Sequence, residues 1–423
     1  MTWRVVYRRM LKVLLTVSLT GMAGLLYYGY WTSVPDHIWL EANKEQTLDL
    51  GVPANGILEQ GYVEMDYQQA DKTIPVNLGH AVSIQTGAVN SYQMDLKLWG
   101  ILPFKQVQVD VVQEQTVIPG GEAIGIYVST EGNLVIDTGS FIAENGMTTE
   151  PAKYVLKKGD YILSVNGVSV HEKSEFKELV ANSDGKEMIL TISRDGETFD
   201  VSVTPVPDET GAYKLGIWIK DNAQGIGTLS FLTANGNFGA LGHGINDTDT
   251  GQLMELQNGA LYRTNIISIM KGSVGTPGEL TGLIDYTKGN RLGTILKNTE
   301  KGIFGYCDGD QMMEPLREKA VPLGFRQEVK KGLAEIICSV EGKPHYYDVE
   351  IEAIHLDEES DNRQIEIAVT DERLLQITGG IVQGMSGSPI LQNGKMVGVV
   401  TLVFVDDPIR GYDIFAEEML EEL

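Results

Sequence analysis

Cysteine is nearly absent, with Cys307 and Cys338 the only two in 423 residues. Two isolated thiols cannot staple a disulfide framework, and their spacing fits no zinc motif. They read as core residues that could pair once in an oxidising compartment. Histidine is almost as scarce, so a catalytic imidazole must come from the six at positions 37, 80, 171, 243, 345 and 355. Basic residues are outnumbered 33 to 58, leaving a net charge of −25. A protein that grips nucleic acid must neutralise phosphates with lysine and arginine, so nucleic acid is excluded as a partner. A phosphate loop of the Gly-x4-Gly-Lys-Ser/Thr type is missing as well. The stretch from Asn246 to Gly251 resembles the start of a calcium loop but lacks the glutamate such loops carry at their twelfth position. It reads as a turn with side-chain caps. The expectation is a chain with no metal and no cofactor.

What is present points to a turn-rich β protein: 48 glycines and 42% hydrophobic residues without a low-complexity tract. The length calls for two or three domains. Residues 1–36 form a basic tip and a membrane anchor. Arg4, Arg8, Arg9 and Lys12 precede an apolar run from Val13 to Trp31, and no acidic residue comes before Asp36. The run is long enough to cross a bilayer core at about 1.5 Å per residue. Its basic flank is expected in the cytoplasm, with everything after Pro35 outside. Tyr27, Tyr28, Tyr30 and Trp31 suit an interfacial aromatic belt, and no small-x-small site follows to mark a cleaved signal peptide.

Residues 37–101 read as a linker with a few strands, and the alternation of Met94, Leu96 and Leu98, then Val107, Val109 and Val111, is that of half-buried strands. Residues 102–206 hold two ordered signals. Ile124-Gly125-Ile126 follows a Gly120-Gly121 turn, and Gly159-Asp160-Tyr161-Ile162 leads into an Asn166-Gly167 hairpin, with an amphipathic helix near Ser174–Ala181. The order resembles a PDZ domain. In that family an apolar-Gly-apolar loop offers amides to a peptide carboxylate while the peptide adds a strand to a sheet edge. That likeness would make Ile124, Gly125 and Ile126 the peptide-binding loop. Residues 207–423 are short strands with turns between them, as in a barrel or double barrel.

The strongest chemical signal is Gly384-Met385-Ser386-Gly387-Ser388-Pro389. A tight glycine turn at a serine lets the amides of Gly384 and Ser386 converge as an oxyanion hole, where one donor is worth about 3–4 kcal/mol. The following run is strand, Asn393-Gly394 hairpin, strand, whereas the nucleophile elbow of α/β-hydrolases leads into a helix. Among the histidines, His243 stands between Gly242 and Gly244, which permit close approach of another segment. It is the candidate base for Ser386. The orienting carboxylate is harder to choose from spacing, since Asp247, Asp249, Asp285, Asp348 and Asp371 all precede the serine and each could simply cap a turn.

The Ser386 loop resembles the nucleophile loop of chymotrypsin-like peptidases. A PDZ-like segment followed by Phe238–Ile245 (FGALGHGI) and Thr378–Ile390 (TGGIVQGMSGSPI), behind a single anchor, is similar to the stage IV sporulation protein B peptidases of endospore-forming bacteria. The similarity implies a mainly β fold with a chymotrypsin-like double β-barrel, a Ser386, His243 and Asp371 triad, and serine endopeptidase activity. It implies further that the enzyme is secreted from the forespore into the space between the two membranes. There it cleaves its own chain and a regulator in a membrane complex, freeing an intramembrane protease that processes a sigma factor. Leu402 stands where many relatives have histidine, which bears on packing or specificity. Two other readings compete: an envelope quality-control protease, whose PDZ domain would follow the catalytic domain, and a PDZ scaffold without catalysis.

Overall fold

The computed structural model describes residues 3–60, 74–309, 319–356 and 362–423. Part of the 37–101 region, residues 61–73, thus lies outside the described residues. Helix α1 (Trp3–Thr32) buries none of its side chains in the protein. It is long and apolar enough to cross a membrane.

Residues 37–112 form a β module with its own core. A five-stranded sheet runs in the order His37–Glu41, Leu102–Val112, Asn90–Leu98, Ala54–Gln60, Ile74–Asn77. Alternation decides the burial: Met94, Leu96, Leu98, Val107, Val109 and Val111 all turn inward onto Ile38, Leu40 and Ala54. The strand Leu102–Val112 therefore belongs here, paired with Asn90–Leu98 and with His37–Glu41. It does not head the PDZ-like segment, contrary to the boundary expected at residue 102.

Two closed barrels make up most of the rest. The second is contiguous in sequence: Gly332–Cys338, His345–Ile354, Ile365–Val369, Arg410–Phe415, Lys395–Val403 and Pro389–Gln392 close in a ring. Ile336, Val349, Ile367, Val400 and Phe415 fill its core. The first barrel is not contiguous. Its ring runs Ala123–Thr138, Ile217–Leu232, Asn237–Ala240, Gly302–Cys307, Arg291–Thr299 and Leu256–Met270, and the last pairs back onto the first.

The PDZ-like unit is inserted between the first two strands of that ring. Both strands are 16 residues long. The half of Ala123–Thr138 that lies beyond Gly132 leaves the barrel and pairs with Tyr161–Val165. Gly132 has φ +82°, and a Cβ there would collide with the Ile162 carbonyl. The returning strand shifts register at the same level, between Lys220 and Asn222, so both strands bend where one unit gives way to the other. Inside the unit, helix α2 (Lys173–Ala181) packs Phe176 and Val180 onto Ile162, Leu190 and Ile192. The Gly159-Asp160 signal earns its place structurally: buried Asp160 accepts two bonds from Arg194, at 2.6 and 2.7 Å, and one from the Lys157 amide. Asn166 (φ 51°) and Gly167 (φ 79°) form the hairpin turn that their pairing predicts.

Candidate active site

His243 sits on the loop that leaves the Asn237–Ala240 strand of the first barrel. Leu241 and Gly242 before it both adopt positive φ, 74° and 71°. A buried leucine in the left-handed region is strained, and such strain persists only where the surroundings enforce it. Here the enforcement is contact with the other barrel. A Cβ on Gly242 would lie 3.0 Å from Val399 and 3.1 Å from both Thr401 and the Val400 carbonyl. Asn298 locks the far side of the loop, accepting from the Ile245 amide at 2.8 Å and donating to the Ile245 and Met254 carbonyls at 3.0 Å each.

Ser386 is delivered by the second barrel. Helix α3 (Glu372–Thr378) ends at Gly379 in the left-handed conformation, and Val382–Gln383 then pairs with Gly278–Glu279. Met385 is wholly buried and fixes the loop, so that the hydroxyl beside it faces the inter-barrel cleft. Thr228 of the first barrel clamps this loop twice: its amide donates to the Ser386 carbonyl at 3.0 Å and its hydroxyl to the Gly384 carbonyl at 2.8 Å. Gly387 (φ +99°) allows no side chain, because a Cβ would collide with the Thr228 carbonyl.

His243, Gly384 and Ser386 line one cavity of about 500 Å³ between the barrels, with Val128, Ile226 and Leu402 among its apolar walls. Imidazole Nδ1 lies 2.9 Å from the Gly244 carbonyl. A carbonyl only accepts, so Nδ1 carries the proton and Nε2 presents a lone pair. Burial pushes the imidazole below the usual histidine range, outweighing the opposing effect of the Gly244 bond. It is therefore neutral, as a general base must be. The Ser386 hydroxyl donates to the Thr401 carbonyl at 2.8 Å. Among the described residues the Ser386 amide donates to no backbone carbonyl, which leaves it free for an oxyanion. Both thiols are pushed up by burial, Cys307 to about 11 and Cys338 to about 12, so neither competes as a nucleophile.

Two expectations need correction. Asp371 does not meet the imidazole. It is the N-cap of α3, with one carboxylate oxygen accepting from the Arg373 and Leu374 amides at 2.8 and 2.9 Å and the other from the Asp348 amide at 3.4 Å. The carboxylate is engaged by the backbone of its own helix. Asp247, the buried one among the five candidates, is taken up by Lys220 at 2.8 Å and by the amides of its own turn. The second correction concerns Ile124-Gly125-Ile126. These residues lie near the start of a first-barrel strand, paired with Gly225–Gly227 on one side and with Leu261–Arg263 on the other. Their amides already serve two ladders and none is left for a peptide carboxylate.

The groove that the PDZ-like unit does form lies elsewhere. Leu215-Gly216-Ile217 repeats the apolar-Gly-apolar pattern, with Gly216 at φ +69°. The strand it opens pairs with Thr138–Leu134 on one edge. Its other edge faces α2 across a cavity of about 440 Å³ lined by Phe176, Val180, Ile217 and Ile219. The signal was in the sequence twice, and only the downstream copy lies beside the helix.

Residues 211–420 match the family described as SpoIVB peptidase S55, and residues 123–204 match the PDZ domain. The chain belongs to the SpoIVB peptidase S55 family. By its description that family is one of peptidases. A 70-residue stretch is 37% identical to the Regulator of sigma-W protease RasP of Bacillus subtilis (strain 168), covering 16% of each chain. A solved HtrA-type protease, AlgW with a decapeptide, aligns over 71% of this chain and 62% of its own at 10% identity, with a TM-score of 0.29. The fold itself rests on the strand pairing described above.

Proposed function

We propose that the chain is a membrane-tethered S55 peptidase in which Ser386 is the nucleophile and His243 the general base. The Ser386 hydroxyl rotates from the Thr401 carbonyl to Nε2 of His243 and attacks a peptide carbonyl. The amides of Gly384 and Ser386 hold the oxyanion, His243 passes its proton to the leaving amine, and water releases the acyl-enzyme. The Gly244 carbonyl on Nδ1 orients the ring in the resting arrangement, and Asp371 holds the helix that leads into the nucleophile loop. The observation that carries this reading is the convergence on one cleft. Ser386 bonds to the Thr401 carbonyl, and the turn before His243 is pressed against Val400 and Thr401.

The proposed substrates are those that the family resemblance implies. The chain cleaves itself and a regulator within a membrane complex, outside the cytoplasm between forespore and mother cell, and so triggers sigma-factor processing. The short likeness to a protease named as a regulator of sigma-W is in keeping with that role. The Leu215–Ile219 edge and α2 receive an extended peptide end, and the same strand, Ile217–Leu232, runs on to wall the catalytic cavity at Ala223–Ile226. The test is self-cleavage of the purified full chain. Ser386→Ala should cost on the order of 10⁶ in turnover if serine and histidine act as a unit, and unchanged cleavage in that variant would refute the assignment.

A further inference from the structure

The tip of the hairpin joining Asn90–Leu98 to Leu102–Val112 is built against the ordinary preferences of a soluble turn. Trp99 is 63% exposed and Ile101 85% exposed, with Leu102 also exposed. Trp99 has φ +50° and Gly100 φ +73°. A turn of that shape is the natural place for asparagine or glycine, and a bulky aromatic there is an outlier. No charged residue lies between Leu98 and Phe104, while Lys97 and Lys105 flank the segment.

A ladder of contacts fixes where this tip stands relative to the anchor. Phe104 packs edge-on against Tyr27 and Trp31, at centroid distances of 5.6 Å each. Lys105 Nζ lies 5.2 Å from the Trp31 ring centre, donates to the Val34 carbonyl at 2.6 Å and pairs with Asp36 at 3.0 Å. The Gln108 amide then donates to the Asp36 carbonyl at 2.9 Å, and His37 and Glu41 pair in parallel with Gln108 and Val112. The two chain segments thus climb together away from α1. Followed downward, the same order carries the strand past the Tyr27–Trp31 level toward the middle of α1. Ile101 is three residues below Phe104, a descent of roughly 10 Å at the rise of a strand.

We propose that the Trp99–Leu102 hairpin tip inserts into the outer leaflet of the membrane that α1 crosses, as a second membrane contact of the β module. Tryptophan and the two aliphatic side chains sit at and below the headgroup level, where an amphipathic indole is favoured. Lys97 stands at the rim, where a long basic side chain can reach the phosphates. The lipid also accounts for the strained turn, since the left-handed tryptophan presents its ring to the bilayer. The insertion fixes the tilt of the module and holds the catalytic barrels at one height above the surface. It rests on the reading of α1 as a membrane span.

The test uses the full chain in vesicles of phosphatidylcholine and phosphatidylglycerol whose acyl chains carry a quenching nitroxide or bromine. An environment-sensitive fluorophore is attached in turn through Leu19→Cys in α1, Ile101→Cys at the tip, and Val89→Cys at the far end of the same hairpin. All three positions are exposed. The unsubstituted chain, with its partly and fully buried cysteines, is the labelling blank. Positions 89 and 101 lie at opposite ends of the hairpin, separated by roughly 30 Å. Strong quenching at 19 and 101 with none at 89 is the expected result. Quenching at 19 alone overturns the insertion while leaving the anchor intact. Absence of quenching at 19 overturns the anchor and the insertion together. A second measurement guards against a folding artefact: the labelled Ile101→Cys chain should melt at the temperature of the unsubstituted chain.

Discussion

The two barrels have the same ring of six strands but reach it by different routes. The second closes from strands that follow one another between Gly332 and Phe415, and it carries Ser386, the proposed nucleophile. The first gathers its strands from between Ala123 and Cys307, admits the PDZ-like unit after its first strand, and carries the histidine. A contiguous barrel fixes its loops by local hairpins such as Asn393-Gly394. An interrupted barrel shares two strands with its insert, so its geometry depends on what the insert does. The catalytic cavity lies between a self-contained wall and a shared one.

That contrast is tested most severely at the contact between the walls. Gly387→Ala forces a methyl group into the Thr228 carbonyl and pushes the barrels apart at the nucleophile. Activity should fall by at least the 10²–10³ expected for loss of one oxyanion donor, measured as turnover of a peptide substrate by a chain that still melts cooperatively. Near-normal turnover would show that the loop adapts without help from the first barrel.

Asp371 sharpens the comparison from the side of the second barrel. As an N-cap it contributes about 1 kcal/mol, so Asp371→Ala should lower the melting temperature by a few degrees. The conservative change Asp371→Asn, which still caps, should recover both stability and activity. An orienting carboxylate behaves differently: its replacement by asparagine costs about 10⁴ in turnover with the fold intact. Comparing kcat for the two variants separates these cases.

The pH profile examines the shared wall. His243 must be neutral to accept the Ser386 proton, and burial favours the neutral form. Activity is lost as pH falls through the imidazole pKa, so a lowered pKa moves that acid limb below about 6.5, the value of an unperturbed histidine. A limb above that value would mean that a carboxylate stabilises the imidazolium, contrary to the arrangement described here.

The same contrast explains what could be read from the sequence. The close approach of the His243 and Ser386 loops was legible from their glycines, and Gly242 and Gly387 do touch the opposite barrel. The strands near Met94 and Val107 were legible from period two, though not their partner, since pairing with His37–Glu41 is a property of the fold. The insertion was hidden because one continuous strand, Ala123–Thr138, serves two units. That single fact misplaced the peptide loop, assigning Ile124–Ile126 to the insert when it is a barrel strand. Asp371 escaped for a different reason: an aspartate before Glu372-Arg373-Leu374 is as good a helix cap as it is a triad member, and only its hydrogen bonds distinguish the two.

Covalent labelling with a fluorophosphonate, read by mass spectrometry of the digested chain, is the most direct test of the central claim. One adduct per chain is expected, on the peptide containing Ser386, abolished by Ser386→Ala and strongly slowed by His243→Ala. An adduct on another residue, or equal labelling of the His243→Ala chain, would contradict it.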